Sequence, residues 1–169
     1  MHRNKTLIFS MHPCFSDIPL YLEYLVHNMA SNKTRLEFVK HIANVISKST
    51  GFEKTLEKVQ IIDGGEGKCN AMFKVAPEHL NRGGFLHGGF TATIVDMVTT
   101  YALMSQPCQP GVSVDLHVTY LKAAKEGDDI FVAANTLRTG KKLAFIECVL
   151  QKHDGTIIVK GCQTKFIDL

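Results

Sequence analysis

Apolar residues recur along this chain with two periods, and the places where the period changes mark out its elements. From Ser31, Leu36, Val39, Ala43 and Ile46 recur at helical spacing with Lys40 and Lys48 outside, and Gly51 closes the run. Residues 56–63 then read as a strand leading to a turn at Gly64-Gly65. In the next strand Cys69, Ala71, Phe73 and Val75 alternate with Lys68, Asn70, Met72 and Lys74. Helical spacing returns at Phe90, Ile94, Met97, Val98, Tyr101 and Met104, and Ala92, Val95, Ala102 and Leu103 make the other side apolar as well. A helix that is apolar nearly all round needs cover on every side. Pro107 and Pro110-Gly111 break the chain. Beyond them Val112, Val114, Leu116, Val118 and Tyr120 share one strand face, with Ser113, Asp115 and His117 on the other. Strands at 130–137, 143–151 and 156–167 complete the chain, joined by turns at Thr139-Gly140 and Asp154-Gly155. Consecutive hairpins around one buried helix predict an α+β fold, an antiparallel β-sheet wrapped around a long central helix.

One side chain interrupts the central helix. Asp96 is the only carboxylate, lysine or arginine between Arg82 and Asp115. An ionised carboxylate in apolar surroundings is costly unless something compensates it, so replacing it by Asn is expected to stabilise the fold. Just before the helix runs Asn81-Arg82-Gly83-Gly84-Phe85-Leu86-His87-Gly88-Gly89, a glycine-rich loop with one amide and one histidine. Unpaired N–H groups and the positive dipole end converge at a helix start, which suits a carbonyl oxygen gaining charge.

The run from His87-Gly88-Gly89 to Ile94-Val95-Asp96 resembles the signature of hotdog-fold acyl-CoA thioesterases. Pro110-Gly111-Val112-Ser113-Val114-Asp115 and Gly140-Lys141-Lys142-Leu143-Ala144-Phe145 resemble the same family, closest to its small eukaryotic subgroup of the thioesterase-superfamily-member-2 type. The similarity covers roughly residues 29–167. It implies a hotdog fold and hydrolysis of fatty acyl-CoA to acid and coenzyme A. It also implies that the Gly88 N–H and the Asn81 amide hold the carbonyl oxygen, that Asp96 is general base or nucleophile, and that Ser113 orients the water. His87 and Gly89 organise the loop beside the substrate. Loop asparagines also close turns upon themselves, and Ser113 reads equally as an ordinary strand serine. Arg138, Lys141 and Lys142 flank the Gly140 turn, where cations meet either solvent or the phosphates of coenzyme A.

Spacing adds a constraint. Gly88 and Asp96 lie eight residues apart, roughly 12 Å along a helix axis. One helix cannot bring both to one carbonyl carbon, so a second copy related by a two-fold axis is expected to supply the carboxylate. The resemblance implies such homodimers, paired further into tetramers. The rival readings are a hydratase or dehydratase on acyl thioesters, which relies on a catalytic histidine, and a binding module for acyl-CoA without turnover.

Composition narrows the alternatives. The chain of 169 residues divides into an extension at 1–28 and one domain at 29–169. A net charge of +3, without a basic stripe interleaved with aromatics, excludes a nucleic-acid partner. The apolar run Leu7-Ile8-Phe9 is far too short to span a bilayer, so no transmembrane segment is expected. The five cysteines have no metal-ligand spacing and read as free thiols in the cytosol or the mitochondrion, with Cys148 and Cys162 buried in strands. No cofactor or metal is called for beyond the coenzyme A carried by the substrate.

Overall fold

The computed structural model describes residues 32–168, so the reading of residues 1–28 and of Cys14 lies outside the described residues. Helix α1 (Asn32–Ser47) buries Phe38, Val39 and Ile42. A short 3-10 turn, Phe52–Leu56, follows and drives Leu56 into the core. Strand β1 therefore starts later than the apolar pattern suggests, at Gln60–Gly65. The hairpin to β2 (Lys68–Lys74) turns at Glu66-Gly67 rather than at Gly64-Gly65. Both turn residues have positive φ, 53° and 83°, which matches the right-handed twist of the paired strands. Gly64 stays in the strand, where a Cβ would lie 2.8 Å from the Lys68 carbonyl oxygen. Its small size permits close strand approach.

The long helix α2 (Gly88–Met104) precedes β3 (Val112–Tyr120), β4 (Asp129–Thr139), β5 (Leu143–Lys152) and β6 (Ile157–Phe166). All six strands form one antiparallel sheet in the order β1-β2-β4-β5-β6-β3. Strands β2 to β6 all contact α2, so the sheet wraps the helix as the pattern and the resemblance imply. Ile94, Val95, Val98, Ala102 and Leu103 meet the inward residues of β2, β4 and β5 in one core. Cover is nevertheless incomplete. Ala92, Thr93, Asp96, Met97 and Thr100 form a stripe at helical spacing that remains half-buried.

Strand β3 corrects a further expectation. Ser113 pairs with Lys165 and Asp115 with Thr164, so Val114 is an extra residue without a partner. Such a bulge reverses the alternation beyond it. Ser113 consequently shares the inward face with Leu116, Val118 and Tyr120, opposite to His117, which is exposed and lies 3.3 Å from Thr119 Oγ1. The cysteines divide as well. Cys69 and Cys148 are buried, and burial pushes both thiols up to about 12. Cys162, expected inside, is exposed on the outer face of β6.

Helix and sheet approach closely at Gly161. A Cβ there would lie 2.5 Å from Val95 Cγ1, and Val95 is fully buried. Gly161→Ala is therefore expected to force α2 away from β6 and lower stability by about 1–3 kcal/mol. Urea denaturation of that variant measures the loss.

Candidate active site

The start of α2 is held by three side chains. His87 is the N-cap, and its Nδ1 accepts from the Gly89 N–H at 2.9 Å. That bond uses the Gly89 donor and fixes the imidazole, the structural role expected of His87. A Cβ on Gly89 would come within 3.1 Å of the same ring. Asn81 turns its Oδ1 back onto the loop, accepting from Gly83 N–H at 2.8 Å and Phe85 N–H at 3.3 Å. Loop closure thus occupies the acceptor end of Asn81 and leaves its amide Nδ2 available as a donor. The Gly88 N–H, at the first helical position, has no carbonyl within the helix to bond. Tyr120, which the sequence did not single out, donates its hydroxyl to the Gly88 carbonyl at 2.9 Å and anchors β3 to the helix start.

Beside this loop lies a cavity of about 340 Å³, lined by Asn81, Phe85, Leu86, Tyr120, Leu121 and Ile158 among others. Its size falls in the range of small-molecule sites, and its walls are mostly apolar, with Asn81, Thr91 and Lys122 among the polar side chains.

Two turns along the helix sits Asp96, and its surroundings are not apolar. Gln163 of β6 donates Nε2–H to Asp96 Oδ1 and also to Ser113 Oγ, the latter at 2.9 Å. The Ser113 hydroxyl reaches the same Oδ1 at 3.3 Å. Lys165 places its ammonium 3.8 Å from Oδ1 and donates to Thr100 Oγ1 at 2.7 Å. The Lys165 side chain is only 5% exposed against 38% for Asp96. Burial pulls the Lys165 pKa below the usual lysine range, and the Asp96 charge opposes that shift. The three contacts to the carboxylate, from Gln163, Ser113 and Lys165, all go to Oδ1. Among the described residues, none reaches Oδ2.

Gln163 and Lys165 are the site residues that the strand reading passed over. Inward positions of β6 recur at Val159, Gly161, Gln163 and Lys165, so two polar side chains stand in phase with a core residue. That phase was the available signal.

The structure does not bring every expected residue together. Asn81, His87, Gly88 and Gly89 gather at the helix start, whereas Asp96 and Ser113 form a separate group along the helix. Arg138, Lys141 and Lys142 lie at the opposite end of α2, where Gln106 donates to Thr139 Oγ1 at 2.7 Å. Lys142 forms an exposed ion pair with Asp168 at 3.8 Å. Among the described residues no group of three or more His, Cys, Asp or Glu side chains is placed to hold a metal ion. No helix there is long and apolar enough to cross a membrane.

Residues 83–159 match the family described as "Thioesterase superfamily". Acyl-coenzyme A thioesterase 13 from Homo sapiens is 40% identical over 131 residues, covering 76% of this chain and 94% of that protein. The chain belongs to the thioesterase superfamily. Solved structures agree. The zebra fish thioesterase superfamily member 2 superposes with a TM-score of 0.76 at 43% identity, covering 78% of this chain and 97% of the other. The Mus musculus thioesterase superfamily member 2 gives 0.72 at 39% identity, with coverage of 78% and 96%. A thioesterase must stabilise an oxyanion and activate a nucleophile. In this thioesterase the helix start offers donors for the first task, and the Asp96 group offers a carboxylate for the second.

The buried ammonium reverses the stability expectation for Asp96. Asp96→Asn leaves Lys165 without its counter-charge, so stability should fall on the order of 1–2 kcal/mol. This is below the cost of breaking a fully buried pair, because Asp96 keeps contact with solvent. Adding Lys165→Met to Asp96→Asn should restore most of the loss. Chemical denaturation of the two single variants and the double variant tests this, and an Asp96→Asn protein as stable as the parent contradicts it.

Proposed function

We propose that the protein hydrolyses acyl-coenzyme A thioesters to free acid and coenzyme A, in a site shared between two copies of the chain. The related thioesterase 13 carries coenzyme A in its name, which supplies the thiol in this reading. The carbonyl oxygen rests on the Gly88 N–H and the Asn81 Nδ2 of one copy. Asp96 of the other copy acts on the carbonyl carbon, as base on a water or as nucleophile. The tetrahedral oxyanion then collapses, the carbon–sulfur bond breaks, and coenzyme A leaves as its thiolate, which takes up the proton that Asp96 drew from the water or one from solvent. Where Asp96 attacks directly, water next hydrolyses the acyl–carboxylate anhydride, freeing the acid and restoring the carboxylate. Ser113 helps to fix that carboxylate.

The observation that carries the shared site is the separation on one rigid helix. Gly88 and Asp96 are both in α2, roughly 12 Å apart along its axis. Two further features favour a second copy. The stripe through Asp96 is only partly covered, and edge strand β3 exposes Val112, Val114, Leu116 and Tyr120. A long apolar edge of this kind invites pairing with another strand. In an antiparallel pairing of α2 helices, the end of the helix that supplies Asp96 extends roughly 12 Å past the other copy's Gly88. Arg138, Lys141 and Lys142 of that copy then lie toward the coenzyme A phosphates. The cavity at the helix start takes the acyl chain, and dimers pair further into tetramers.

The commitment of His87 Nδ1 to the Gly89 N–H favours hydrolysis over the histidine-dependent hydratase chemistry. Release of free thiol from a saturated acyl-CoA tests the reaction directly. Asp96→Asn should lower kcat roughly 100-fold or more, and Asn81→Ala tenfold to a thousandfold. When these two inactive chains exchange subunits, half of the random dimers are mixed, and each mixed dimer holds one intact site. Activity should then recover to about a quarter of the parent level. No recovery despite proven exchange rules out the shared site, and no thiol release by the parent protein rules out the reaction.

A further inference from the structure

The contacts of Asp96 are one-sided, and this asymmetry has a chemical use. Gln163 is buried at 2% exposure, and all three of its polar functions are engaged. Its Oε1 accepts from the Thr99 hydroxyl, one Nε2–H goes to Asp96 Oδ1, and the second to Ser113 Oγ. The reverse orientation of the amide would set Oε1 against the carboxylate, so this network permits a single arrangement. Lys165 approaches the same Oδ1 from two residues further along β6, held by Thr100 Oγ1.

We propose that Gln163 and Lys165 are positioning residues for Asp96. Together they fasten Oδ1 so that Oδ2 is the oxygen presented to the thioester or its water, Gln163 through its amide and Lys165 through its ammonium. This inference rests on the reading of Asp96 as the base or nucleophile.

Among the described residues, Lys165 has no competitor as the charge partner. From β3, Ser113 brings no charge, and Asp115 pairs with Thr164, an outward position. From β2 and β5, the inward titratable groups are Cys69 and Cys148, thiols kept neutral by burial. Within α2, Tyr101 is buried, and burial holds its hydroxyl protonated. The inward residues of β4 are Ile130, Val132 and Ala134, and α1 turns Phe38, Val39 and Ile42 into the core.

The test is thiol release by the full chain, using one saturated acyl-CoA and four proteins: the parent, Lys165→Met, Lys165→Arg and Gln163→Leu. Lys165→Met removes the cation beside Oδ1, so kcat should fall at least tenfold while KM changes less than about twofold. Lys165→Arg keeps a cation there, and its kcat should stay within a few-fold of the parent. Gln163→Leu frees the carboxylate to rotate, so its kcat should fall at least tenfold while KM changes less than about twofold. If Lys165→Met folds poorly, Lys165→Gln carries the same test, because it removes the charge and keeps a donor for Thr100. Parent kcat in a folded, charge-free variant overturns the role of Lys165. A Gln163→Leu protein with parent kcat overturns that of Gln163. Asp96→Asn in the same assay separates the two levels of the account. If it is inactive while the Lys165 and Gln163 variants keep parent kcat, only the positioning roles fail. If it is active, the reading of Asp96 fails and the inference fails with it.

Discussion

The structure turns on holding one carboxylate inside a helix that is otherwise built for a core. Asp96 stands between Val95, fully buried, and Met97 on the half-covered side, so α2 cannot turn it wholly to solvent. Its cost is offset by β6, which brings an amide and an ammonium to the same oxygen. That requires β6 to lie close under the helix, and Gly161 makes the approach possible. It also requires the bulge at Val114, without which Ser113 would face away from the helix. Core packing and site geometry therefore share residues. A substitution that loosens the contact of α2 with β6 should disturb both.

The helix also divides the chemistry. Its first turn ends in a glycine pair capped by His87 and pinned by Tyr120, and this arrangement leaves the Gly88 N–H pointing out. Its third turn carries the carboxylate. The rise of the helix keeps the two apart, and packing on five strands keeps the helix rigid. In a single copy the donors and the base are each well formed, yet separate. In the proposed reading, bringing them to one substrate is the task of assembly, and the half-covered stripe and the exposed apolar residues of β3 are the surfaces it would use.

Much of this was legible in the sequence because it depends on local period. The alternation of β2, the extent of α2 and the Asp154-Gly155 hairpin are properties of short windows and stand as read, whereas the cover expected on every side of α2 is missing at Ala92 and Met97. Features that depend on two strands at once were not legible. The apolar series from Val112 to Tyr120 looks unbroken, and only pairing with β6 reveals that Val114 has no partner. Its exposed apolar residues mark an edge, which a period of two cannot distinguish from a core strand. Gly64-Gly65 looked like the turn, yet Glu66 adopts the positive φ, a rare conformation for a residue with a side chain. The donors at the helix start and Asp96 were visible as types and spacing. Gln163 and Lys165 escaped notice because polar residues in a final strand look like surface until the phase set by Val159 is followed.

The central claim is that one thioester is gripped by the helix start of one copy and attacked through Oδ2 of Asp96 from another. A crystal structure with an acyl-CoA analogue in which a methylene replaces the sulfur beside the carbonyl would measure this most directly. The account predicts the ketone oxygen within hydrogen-bond distance, about 2.7–3.1 Å, of the Gly88 N–H of one copy. It also predicts the second copy's Asp96 Oδ2 nearest the carbonyl carbon, directly or through one water, with Oδ1 still held by Gln163. A ketone held by Gly88 with no Asp96 from a second copy beside it, or one facing Oδ1, would contradict it.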